Sequence, residues 1–138
     1  MKKLLIILVL LSAFSVNAQL VVKEAAKDTV IWQPSKLQNL PKLIRFTTDD
    51  LESYTMYYKN AKYTSITDID YISIGDLETT KQFFGLCKSV VSEGKEFNLT
   101  LGKESIMLKK SMGGTMIWKS GSYFYLTDKQ IDGILLSL

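Results

Sequence analysis

The sequence predicts an α+β fold: an antiparallel, meander-rich sheet packed by a central helix and a C-terminal helix. Three observations lead there. Residues 76 to 94 carry one apolar face at helical spacing between a capping acid and a stop glycine. Four short alternating runs follow, separated by glycine turns. The chain then ends in a segment that opens on a capping box.

Met1-Lys2-Lys3 is a short basic start, Leu4 to Leu11 an unbroken apolar run, and Val16-Asn17-Ala18 a small-residue exit. That three-part pattern reads as a cleavable secretory signal over residues 1–18. The apolar run is well short of the about 20 residues a membrane span requires. The membrane is therefore expected to matter only during export, and a periplasmic or secreted location follows. Residues 19–41 read as an extended lead-in punctuated by Pro34 and Pro41, with an edge strand near Thr29 to Trp32. Asp28-Thr29-Val30 and Asn98-Leu99-Thr100 match short glycosylation patterns, but three residues match by chance too often to carry weight.

Residues 42–138 read as one α+β domain, a length that supports a single core. Leu43 to Thr47 is a strand candidate, and Tyr54 to Lys59 and Lys62 to Thr67 flank a turn at Asn60-Ala61. Tyr71 to Ile74 leads into Asp76, whose carboxylate suits a helix N-cap. Phe83, Phe84, Cys87, Val90 and Val91 make the apolar face of the central helix, and Gly94 supplies its left-handed stop. The runs Glu96–Leu101, Ser105–Lys110, Thr115–Lys119 and Tyr123–Leu126 alternate as half-buried strands, with turns at Gly102-Lys103, Gly113-Gly114 and Ser120-Gly121. Thr127 to Gln130 is a capping box, with Leu126 and Ile131 placed as a hydrophobic staple. A shift of 52 positions lays Tyr71 on Tyr123, Ile74 on Leu126, Asp76 on Asp128 and Asn60-Ala61 on Met112-Gly113. Two β-β-β-β-α pseudo-repeats would account for it.

Composition excludes several chemistries. The whole chain carries +3, but Lys2 and Lys3 belong to the signal, leaving fifteen basic against fourteen acidic residues. A balance of +1 gives no reason to expect nucleic acid. There is no histidine, so the usual general base and commonest metal ligand are missing. Cys87 is the only cysteine; it lies inside a helix on the apolar face, where a thiol is inert packing. Ser92 and Lys95 have an acyl-enzyme spacing but straddle a helix end. Asp68 and Asp70 begin like a calcium loop whose later ligands are missing, and Asp49-Asp50 with Glu52 suits a solvated loop. The expectation is no cofactor and no metal site.

Aromatic and basic residues interleave in two places. Tyr57, Tyr58, Lys59, Lys62 and Tyr63 cluster at the first hairpin, and Trp118 and Tyr123 occupy the related region of the second half. Such residues serve recognition surfaces and ordinary strands alike. The sequence-based expectation is an exported, non-enzymatic binding domain of the bacterial envelope that recognises a protein partner, in the manner of an inhibitor or immunity protein, with an anionic glycan as another ligand class. Two alternatives stand beside it: a small hydrolase assembled from dispersed carboxylates or a serine, and a structural envelope protein.

Overall fold

The computed structural model describes residues 26–138; the expected signal segment over residues 1–18 and its expected cleavage point lie outside the described residues. Eight strands and two helices run in the order β1 (Lys27–Trp32), β2 (Lys42–Thr48), β3 (Leu51–Lys59), β4 (Ile69–Gly75), α1 (Leu77–Glu93), β5 (Phe97–Leu101), β6 (Glu104–Ser111), β7 (Gly114–Lys119), β8 (Ser122–Thr127) and α2 (Asp128–Ser137). Each half is an antiparallel four-stranded meander followed by a helix.

Period-two alternation selects the inner faces. Tyr54, Met56 and Tyr58 on β3, Ile72 and Ile74 on β4, Ile106 and Leu108 on β6, and Phe124 and Leu126 on β8 all enter one core. That core also takes Phe83, Phe84, Cys87 and Val90 from α1, and Ile131 and Ile134 from α2. Both meanders therefore bury their apolar faces in the same cluster.

The helix ends follow the expected chemistry. Asp76 accepts the Thr79 N–H at 2.8 Å, and Gly94, at φ 68°, donates to the Val90 carbonyl at 3.0 Å. The capping box at Thr127 and Gln130 is complete, and Leu126 and Ile131 are both fully buried across it. Thr115 Oγ1 donates to the Cys87 carbonyl at 2.7 Å, tying α1 to β7. Lys88 lies off the apolar face and joins the helices, 2.7 Å from Asp128 and 2.8 Å from Asp132.

Several expectations need correcting. Residues 62–67 form no strand: β3 and β4 are joined by residues 60–68, in which the Asn60 side chain holds the chain in an open connection. The β6–β7 turn is Met112-Gly113, and Gly114 already belongs to β7. A Cβ on Gly114 would lie 2.1 Å from the Leu126 carbonyl oxygen, so the close approach to β8 requires glycine there. The order of four strands and a helix does recur, but the 52-residue offset does not describe it. That offset lays β4 on β8, yet it lays β3 on β6 instead of β7. The cause is loop length: β3 and β4 are separated by residues 60–68, whereas β7 and β8 turn over Ser120-Gly121.

Candidate functional site

The two halves meet in a polar seam. Asp70 shares the inward parity of Ile72 and Ile74, and Ser122 that of Phe124 and Leu126, so both point toward the junction. Lys119 likewise follows Thr115 and Ile117 inward, leaving its side chain only 11% exposed. Asp70 accepts hydrogen bonds from Ser122 at 2.7 Å, Lys119 at 2.9 Å and the Tyr71 N–H at 2.8 Å, and the Tyr58 hydroxyl lies 3.2 Å from the oxygen that Ser122 holds. The Tyr58 and Ser122 hydroxyls lie 2.5 Å apart. Lys119 also donates to the Tyr71 carbonyl at 2.6 Å and pairs with Glu104 at 3.5 Å. Beside this cluster Asn60 accepts the Tyr123 N–H at 3.2 Å, and the Ala61 N–H reaches the Tyr123 carbonyl at 2.8 Å.

The electrostatics of the seam favour holding over reacting. Burial alone would raise the Asp70 pKa, but the bonds from Lys119, Ser122 and the Tyr71 N–H outweigh it and hold the carboxyl below its ordinary value. Such a carboxylate is a weak proton acceptor. Burial pushes the Tyr58 phenol far above its usual value, and Asp70 adds to the rise. Burial also raises the Cys87 thiol, which is fully enclosed among Phe83, Phe84 and Val90. Among the described residues, no three His, Cys, Asp or Glu side chains gather as a metal-binding set.

The residues expected to bind are divided by this geometry. Tyr58 is wholly buried: its ring stacks on Phe124 at 4.1 Å and its hydroxyl enters the seam, so strand parity removes it from the surface. Tyr57 faces the other way, half-buried, with its ring centroid 5.8 Å from that of Tyr71. Lys59 is exposed opposite Ile69. Lys62 and Tyr63 lie exposed in the 60–68 connection, with the ammonium 5.6 Å from the Tyr63 ring centroid. The outer face of the first sheet thus carries a row of Lys42, Tyr57 and Tyr71 and a row of Lys59 and Ile69. Tyr71 and Ile69, both more than half exposed, were missed as surface residues by the sequence reading, although β4 alternation puts them opposite Ile72.

Trp118 and Tyr123 lie on the outer face of the second sheet. They are cross-strand partners stacked at 5.2 Å and 3°, and Tyr125 meets Tyr123 edge-on at 5.7 Å. On the opposite side of Trp118 a cavity of about 760 Å³ crosses β5, β6 and β7. Lys119, whose ammonium sits 5.2 Å from the Tyr71 ring centroid, stands between this cavity and the first-sheet patch.

Comparison of the chain with protein-family models, with curated proteins and with solved structures returns no match.

Proposed function

We propose that this chain is an exported, non-catalytic binding module of the bacterial envelope, and that its partner is a protein engaged by the outer face of the first sheet. The observation that carries this reading is the pair of cross-strand rows, Lys42–Tyr57–Tyr71 and Lys59–Ile69, continued by Lys62 and Tyr63. Tyrosines offer large contact area with little side-chain entropy to lose. Three lysines around them favour a partner of acidic surface and a salt-sensitive association rate. The seam supports a non-catalytic reading. Ser122 is buried, its donor is engaged by Asp70, and that carboxylate is a poor base.

The test is capture from periplasmic extract with the exported protein as bait. Tyr71→Ser combined with Lys59→Ala alters only exposed side chains, so melting should shift by no more than a few degrees. The proposal expects the double variant to lose the protein that the wild type retains. A folded double variant that captures it at wild-type level places the interface elsewhere.

A further inference from the structure

The cavity on the second sheet has a lining unlike the tyrosine-lysine rows of the first. Its wall is Trp118, 37% exposed, and Met107 stands directly opposite on the neighbouring strand. Around them are neutral hydrogen-bonding side chains: Asn98 and Thr100 from β5, Ser105 from β6 and Ser120 from the β7–β8 turn. All four are exposed. The charges that line it are two lysines, Lys103 and Lys119, against one acid, Glu104, and Lys119 is already paired with Glu104 and with Asp70 of the seam.

From this lining we infer that the cavity is a saccharide-binding site, with Trp118 as its stacking platform. The inference is independent of the protein-partner reading and concerns a different face. A sugar ring has an apolar C–H face and a perimeter of hydroxyls, so it needs one flat aromatic surface bordered by amides and hydroxyls. Trp118 supplies a single such surface, because its other face is covered by Tyr123. Tyr123 is braced in turn by Tyr125, so the indole is held before a ligand arrives. Asn98, Thr100, Ser105 and Ser120 provide both donors and acceptors at the perimeter. The volume lies within the range of small-ligand sites. With Lys119 held by Asp70 and Glu104, the lining offers mostly neutral hydrogen-bonding groups, which favours a neutral sugar over a strongly anionic one.

The experiment uses the exported protein and four defined probes: chitotriose, cellotriose and maltotriose as neutral sugars, and a uronic-acid trisaccharide. Binding is followed by calorimetry and tryptophan fluorescence at millimolar ligand. The only other tryptophan, Trp32, packs beside Gly133 of α2 and should not respond. The expected result is saturable binding of at least one neutral probe, weakened at least about tenfold by Trp118→Ala and partly kept by Trp118→Tyr. If Trp118→Ala fails to fold, Asn98→Ala with Ser105→Ala reads the same site and should weaken binding likewise. Absence of binding by all four probes overturns the inference. So does preference for the acidic probe alone, or affinity unchanged in the folded variants. Because the first-sheet double variant should bind sugar normally, loss of protein capture and loss of sugar binding are read separately.

Discussion

Asp70→Asn tests the junction between the halves. The carboxylate accepts from Lys119 and the Tyr71 N–H at one oxygen and from Ser122 at the other, where the Tyr58 hydroxyl also lies within 3.2 Å. An amide keeps one acceptor oxygen for Lys119 and the Tyr71 N–H and turns its donor toward Ser122 and Tyr58, whose hydroxyls must rotate to accept it, and the negative charge facing Lys119 is lost. A hydrogen bond to a charged group contributes about 1.5–3 kcal/mol net. The Asp70 side chain is 28% exposed and Lys119 keeps Glu104, so solvent and a second partner take up part of the loss. A total of about 2–3 kcal/mol results, or about 10 °C in Tm for a domain of this size. The assay is thermal unfolding followed by circular dichroism, from pH 7 downward. Because the Asp70 pKa is lowered in the folded state, its contribution is complete above the unfolded value of about 3.9 and is lost as pH falls through the folded value. The wild type should therefore lose its advantage over Asp70→Asn progressively below about pH 4. A difference under about 2 °C at neutral pH would refute the reasoning, as would a gap that does not narrow in acid.

Two further outcomes follow from the core. Cys87→Ala should cost about 1 kcal/mol in urea unfolding, and the native thiol should react with Ellman's reagent only as fast as the protein opens; fast labelling of the folded state would contradict its burial. Deleting Ile131 to Leu138 removes Ile131 and Ile134 from the core and should give aggregated protein by size-exclusion chromatography; a monomeric, cooperatively melting truncation would show that α2 is dispensable.

Local signals made most of the elements legible. Asp76, Gly94 and the Thr127–Gln130 box are short-range chemistry, and the structure uses each where the sequence placed it. The alternation of Phe97, Leu99 and Leu101 and the glycine turns after α1 likewise fixed the second meander. The 60–68 connection was not legible, because Asn60 is held at once by its near neighbours Lys62 and Asp68 and by Tyr123, far along the chain. The aromatic-basic cluster was only half legible. Alternation separates Tyr57 from Tyr58, but it does not say which face is the core until Met56 and Tyr54 are read with them. The seam left a signal that composition alone passes over: Asp70, Lys119 and Ser122 are polar residues at inward positions of otherwise apolar strand faces. Three such exceptions in separate strands point to one another, because an inward charge must find a partner.

The seam also sets an order of events along the growing chain. Asn60 and Asp70 are made early, while their partners Lys119, Ser122 and Tyr123 come 49 to 63 residues later. Until those arrive, the first meander has its inward carboxylate in water and much of its apolar face without a cover. The second meander cannot complete its own edge either, since Tyr123 on β8 donates its free N–H to Asn60 and accepts the Ala61 N–H at its carbonyl. Neither half is therefore a folding unit with a finished surface, and the contacts that close the molecule are among the most distant in sequence. Such closure is slow compared with helix or hairpin formation.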